Sequence, residues 1–299
     1  APEYSSRPLR KGAAVRKLSM SLVQVVLLVA LSTAAVAQPY EAPTVETAKE
    51  AQERAIEYRP GWAYWKGYLE DTGGIITSPA RWEGADWIKA SLVVGMAAGL
   101  YALDQEIHDW VEDNRSGASE DISRVFEKVG NGLYIIPSLG VFYLYGHFSG
   151  DGKAKRAALM GLESLVLSGV FTNVLKYSTH RHRPNTGDPY DTWDGPGLST
   201  SDLSFPSGHA SSAFSVLTVI ASEYGEHPAV PVMAYGAAAL AALSRVHDGK
   251  HWASDVLMGS AIGYFTAKAV LRYNEGDQRF LVYPVAKEGG AMLMVTYGF

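Results

Sequence analysis

Three short stretches of the chain carry the residue types that handle phosphate: Lys176-x6-Arg183-Pro184, then Pro206-Ser207-Gly208-His209, then Ser244-Arg245-x5-His251-x3-Asp255. Lys176, Arg183 and Arg245 suit the non-bridging oxygens of a phosphoryl group, because a guanidinium fork meets two oxygens at once and lysine adds a point charge. Ser207 and the amide of Gly208 sit where a helix is expected to begin, so hydroxyl, N–H and helix dipole all favour an anion there. His251 has the chemistry of a nucleophile, and Asp255 four residues on shares its helix face, where it can fix the imidazole tautomer and stabilise its cation. His209 suits a general acid for the departing alkoxide. Taken singly, a basic residue at a helix end only complements the dipole, and it is the combination that points to phosphoryl transfer.

These residues need a scaffold that brings them to one place. Six apolar segments of helical length and composition lie at about 87–103, 133–148, 157–175, 210–224, 229–243 and 252–271. The first motif ends the third segment, the second opens the fourth, and the third spans the turn from the fifth into the sixth. In an up-and-down bundle those places share one end. The long connection 180–205, with Pro184, Gly187, Pro189, Gly195, Pro196 and Gly197, is expected to be a functional loop. Small residues at 95–99 and 235–239 are expected to let helix axes approach closely.

The three signatures resemble those of the type 2 phosphatidic acid phosphatase superfamily, which also holds bacterial class A acid phosphatases and vanadium haloperoxidases. The resemblance covers about 87–271 and every signature position is filled. It implies an all-α, six-helix bundle and metal-independent hydrolysis through a phosphohistidine. It implies His251, His209 and Asp255 as the catalytic set and Lys176, Arg183, Ser207, Gly208 and Arg245 as the phosphate-binding set. It implies no cofactor, with vanadate acting only as an inhibitor, or as the cofactor if the chain is a haloperoxidase. The substrate would be a phosphate monoester or pyrophosphate, of a lipid such as phosphatidate, phosphatidylglycerol phosphate, undecaprenyl pyrophosphate or lipid A phosphate. The alternatives are a soluble periplasmic acid phosphatase of broad specificity, a vanadate-dependent haloperoxidase and a non-catalytic envelope protein.

Composition sets outer bounds. With 47% hydrophobic and 19% charged residues the chain leans toward a membrane or heavily buried helical protein. A net charge of −5 gives no reason to expect nucleic acid, and the absence of cysteine excludes thiolate metal sites and cysteine nucleophiles. No metal site is expected. His180 and His182 are read as solvated loop residues, the pair His247 and His251 lacks a third ligand, and the acidic stretch 104–121 is read as a solvated connection. Glu163, in an apolar helix, either serves function inside a membrane or faces another helix or water.

The domain reading is a signal peptide or anchor over 1–37, a polar and aromatic lead-in over 38–86 with a helix at 44–58, the catalytic helical domain over 87–275, and a β-hairpin over 276–299. Basic residues Arg10 to Lys17, the apolar run 22–31 and Ala35-Val36-Ala37 carry the export reading, with Met20 as an alternative initiator. The expected location is the cell envelope, membrane-integral or membrane-associated, with the site facing the periplasm. Lys153, Lys155 and Arg156 opposite the site favour that orientation, whereas six crossings after a cleaved signal would put the site in the cytoplasm. Either the first apolar segment does not cross, or the bundle is soluble or surface-bound.

Overall fold

In the computed structural model the described residues are 72–274, 281–287 and 290–296. The signal segment, the expected helix at 44–58 and the aromatics from Trp62 to Tyr68 lie outside them. The body is all helix, and ordering it along the chain gives α1 (Gly84–Tyr101), α2 (Asp104–Asp113), α3 (Gly117–Phe126), α4 (Gly132–Ser149), α5 (Gly152–Thr179), α6 (Gly208–Glu223), α7 (Ala229–His247) and α8 (Ala253–Asn274). Two strands follow, β1 (Leu281–Lys287) and β2 (Gly290–Thr296), paired antiparallel from Leu281 opposite Thr296 to Lys287 opposite Gly290.

The centre is α6. Ala210, Ala213, Phe214, Val219 and Ala221 are all buried along it, and α5, α7 and α8 surround it. α4 packs outside α5, and α1 lies on α8. Helix starts are set by short polar side chains that accept orphan amides: Asp151 from Ala154 N at 3.1 Å for α5, and Asn131 from Leu133 N at 3.0 Å for α4. At the end of α5, His180 takes a left-handed conformation (φ 43°) that stops the helix and turns the chain into the loop 180–205.

Close approach occurs at other glycines than the sequence pointed to. Around Gly95, Gly99 and Gly236 a Cβ would meet no atom within 4 Å, whereas a Cβ at Gly259 or Gly263 of α8 would lie 2.2 Å from Ser207 O or Ser211 O of α6. Those two glycines therefore let the α8 and α6 backbones touch, and they hold the start of α6 in place.

The acidic stretch 104–121 is not a solvated connection. It forms α2 and the first half of α3. Ile107, Trp110 and Val111, at helical i, i+3, i+4 spacing, pack into the core that contains Phe214 and Val246. Asp104 is only 1% exposed, because its carboxylate is met by Arg181 and Ser254. Glu163 is also buried and faces another helix, accepting from Asn274 Nδ2 at 3.4 Å.

Among the described residues, α5 and α7 are long and apolar enough to cross a membrane, and α1 with α2, bent by 59°, passes the same test as a pair. The outward faces agree. Trp87, Ile88 and Leu92 on α1, Leu133, Val141 and Phe148 on α4, and Val166, Val170 and Val174 on α5 are exposed. An apolar surface of that extent marks contact with lipid or a partner.

The α6–α8 contact is testable by a paired substitution. Gly263→Ala should destabilise the protein by about 1–3 kcal/mol, because the added methyl meets backbone that cannot move aside. Gly236→Ala, in open space within a helix, should stabilise it by up to about 1 kcal/mol. Thermal melts of detergent-extracted protein check this, and equal melting temperatures for the two variants would contradict the packing described.

Candidate active site

All three motifs meet at the end of the bundle formed by the C-termini of α5 and α7 and the N-termini of α6 and α8. Lys176, in the last turn of α5, is buried and donates to the carbonyl of Leu203. Arg183 follows the loop's first turn and reaches the same carbonyl at 3.3 Å and that of Lys250 at 3.4 Å. Both bonds are long, so much of its guanidinium remains available to an anion. Arg245, in the last turn of α7, donates through Nη1 to Glu127 at 2.9 Å and Asp248 at 3.1 Å, and its Nε is buried without a partner among the described residues. Burial, and then the nearby Arg245, lower the pKa of Arg183. Cations crowded in this way are stabilised by a bound anion.

Ser207 caps α6, its hydroxyl 3.5 Å from Ala210 N, and its own amide donates to Asp255 O at 2.9 Å. That bond ties the start of α6 to the start of α8. Gly208 is the first residue of α6, and Lys176 Cε lies 3.9 Å from where its Cβ would be. His209 follows, with its pKa lowered to about 4 by burial first and by Arg245 second, while Glu127 opposes the shift.

His251 stands between α7 and α8 and is 4% exposed. Its Nδ1 lies 2.7 Å from the carbonyl of Ser204. A carbonyl only accepts, so Nδ1 carries the hydrogen and Nε2 the lone pair. Asp255 Oδ2 is 3.8 Å from Nδ1, beyond hydrogen-bond distance. The tautomer is thus set directly by a backbone carbonyl, with Asp255 acting as a charge behind it. Burial lowers the His251 pKa to about 3, Lys176 and Arg183 push the same way, and Asp255 opposes them. The ring is neutral at neutral pH.

This end of the molecule therefore gathers Lys176, Arg183 and Arg245 with a neutral imidazole whose Nε2 keeps its lone pair, and the charges of Lys176 and Arg183 act on both His251 and His209. Residues 157–279 match the PAP2 superfamily, and they include all eight residues singled out from the sequence. Over that stretch the chain is similar to the PAP2 superfamily. It is 34% identical over 140 residues to a Lipid A 1-phosphatase of Porphyromonas gingivalis, a match covering 46% of this chain and 28% of that protein. To a Lipid A 4'-phosphatase of Helicobacter pylori it is 29% identical over 171 residues, covering 53% of this chain and 80% of that one. The crystal structure of Aquifex aeolicus LpxE aligns with TM-score 0.47 at 22% identity over 57% of this chain and 96% of that chain. The chain spans less than a third of the length of the Porphyromonas protein.

Several residues at the site were not singled out from sequence. Ser204 holds His251 through its carbonyl and donates its hydroxyl to Asp255 Oδ2 at 2.6 Å. Arg181 and Asp104 lie behind Asp255, and Glu127 pairs with Arg245. Arg181 lies inside the first motif, which was its only visible signal; the other three carry none. The two loop histidines also differ from expectation. His180 is buried, with its ring nitrogens 2.9 and 3.0 Å from the carbonyls of Gly195 and Ser199, and so pins the loop. His182 is partly exposed but faces Asp188 at 2.7 Å and Asp194 at 3.1 Å, and the hydrogen bond to Asp188 raises its pKa. Its Nε2 with Asp194 and Asp202 is the one grouping with metal-ligand spacing among the described residues, and both its ring nitrogens already face carboxylates.

Inorganic phosphate should raise the melting temperature of the protein, and Arg183→Ala should weaken that binding about 10- to 100-fold, the effect of losing hydrogen bonds to a charged group. A thermal-shift titration that is unchanged in the variant would remove Arg183 from the anion site.

Proposed function

We propose that the chain is a phosphoric-ester hydrolase that removes a phosphate from a membrane lipid through a covalent phosphohistidine. The observation that carries this is His251, a buried neutral imidazole whose Nδ1–H is held by Ser204 O and whose neighbours are Lys176 and Arg183. Nε2 attacks phosphorus, and the bond to the ester oxygen breaks. Lys176, Arg183, Arg245, the Ser207 hydroxyl and the Gly208 amide hold the three non-bridging oxygens as charge builds on them. His209 gives its proton to the leaving alkoxide. In the second half a water gives a proton to His209 and attacks phosphorus, the N–P bond breaks, and phosphate and the original imidazole are restored.

His209 is neutral in the free protein. A phosphate dianion set beside it offsets the cations that depress its proton affinity, so substrate arrival loads the acid. The lipid assignment is supported by two kinds of finding: the apolar outer surface with its span-length helices, and relatives that are Lipid A phosphatases. We read the protein as membrane-integral in the cell envelope with the site facing the periplasm. Lys153 and Arg156, paired with Glu226 and Glu223, lie at the opposite end.

Two experiments test the reading. Extracted enzyme is assayed against phosphatidate, phosphatidylglycerol phosphate, undecaprenyl pyrophosphate, lipid A and soluble monoesters, with a chelator and with vanadate. Hydrolysis of a lipid phosphate, insensitive to chelator and inhibited by vanadate, is expected, and His251→Ala should lose far more than tenfold in kcat. Preference for soluble esters, bromination with peroxide and vanadate, or no turnover would each replace the proposal. The second is a pH profile. A nucleophile with a lowered pKa stays neutral until the pH falls through about 3. At pH 5 kcat/KM should therefore retain at least about half of its maximum, and a loss centred near the ordinary histidine pKa of about 6.5 would contradict the assignment.

A further inference from the structure

Behind the His251–Asp255 pair lies a charged cluster that the hydrolytic scheme does not use. Arg181 is fully buried, and each of its five N–H groups is taken. Nη1 donates to Asp255 Oδ1 at 2.6 Å and Ser254 Oγ at 2.8 Å, Nη2 to Asp104 Oδ2 at 2.8 Å and Tyr190 O at 2.8 Å, and Nε to Tyr190 O at 3.1 Å. The rings of Tyr101, Trp193 and Trp252 lie 4.8, 4.9 and 5.4 Å from the guanidinium carbon and seal it from water. Asp104, the first residue of α2, also accepts the amide and hydroxyl of Ser254 in the first turn of α8.

We propose that Asp104 and Arg181 are positioning residues for the nucleophile, acting through Asp255. Arg181 occupies Oδ1 of Asp255, while Ser204 Oγ and the amide of Trp252 occupy Oδ2 at 2.6 and 2.9 Å. The carboxylate cannot rotate, and Oδ2 is left facing His251 Nδ1 at 3.8 Å. When Nε2 bonds to phosphorus the ring becomes cationic, and this oxygen is the negative charge behind it. Arg181 and Asp255 alone would sum to zero. Asp104 adds the second carboxylate, so two negative groups stand against one positive group and the cluster keeps a net negative charge for the imidazolium. A helix outside the three motifs thus completes the electrostatics of the site.

The inference rests on the proposed hydrolysis, and the test separates the two. Asp104→Asn keeps the shape and removes the charge. Its kcat should fall about 10- to 100-fold, the size seen when an outer partner of an active-site group is lost, with KM within about threefold because Asp104 does not touch substrate. In an Asp255→Asn background the same substitution should cost less than about threefold, since its route of action is already gone. Phosphate-induced thermal stabilisation of Asp104→Asn shows the fraction that is folded, and kcat is expressed per folded molecule. Ser254→Ala, which leaves both charges in place, should lose less than Asp104→Asn. Wild-type kcat in folded Asp104→Asn, or an equal loss in the Asp255→Asn background, would overturn the positioning role and leave the hydrolase reading standing. No hydrolysis by wild type would overturn both.

Discussion

Asp255 is the residue on which the arrangement turns. Its carboxylate accepts Arg181, Ser204 and the amide of Trp252, and its carbonyl accepts the amide of Ser207. Through these four bonds one buried residue joins the start of α8, the start of α6 and both ends of the loop 180–205. A carboxylate without water is tolerable only when every lone pair is met, and removing one partner of a buried ion pair costs about 3–5 kcal/mol. The same bonds that make Asp255 tolerable therefore make the geometry of the site rigid, which is the condition for electrostatic stabilisation of a transition state.

Around that anchor the charges are segregated by depth. The cations Lys176 and Arg183 donate to backbone carbonyls and Arg245 pairs with Glu127 and Asp248, whereas the carboxylates Asp255 and Asp104 lie deeper, each in a short bond to Arg181. His251 stands at the boundary. Burial and the cations keep it neutral, with the lone pair on Nε2, and in the proposed reaction the ring gains its positive charge in front of the deeper carboxylates. Glu127 and Asp248 hold Arg245 and compensate its charge.

The parts of this that were legible in sequence are those with local signals. Helices show in apolar runs, and their order alone put Lys176, Ser207, Arg245 and His251 at one end. The missing parts depend on long-range pairing. Asp104 sits among acidic residues typical of a solvated face, and only Arg181, far along the chain, allows it to be buried. Ser204 acts through its backbone carbonyl, a group every residue has. The small-residue run 235–239 does reach the core through Ala238 and Ala239, whereas its glycine and those at 95–99 face open space. The tightest contact falls on Gly259 and Gly263, because closeness is decided by what faces a glycine and not by its neighbours in sequence.

The most direct test of the central claim is a rapid-quench experiment with substrate labelled in the transferred phosphoryl group. The account predicts that within a single turnover the label appears on the protein as an acid-labile, base-stable phosphoramidate, in the peptide that contains His251. Label passing straight to inorganic phosphate with none on the protein at any quench time, or found on a residue other than His251, would contradict it.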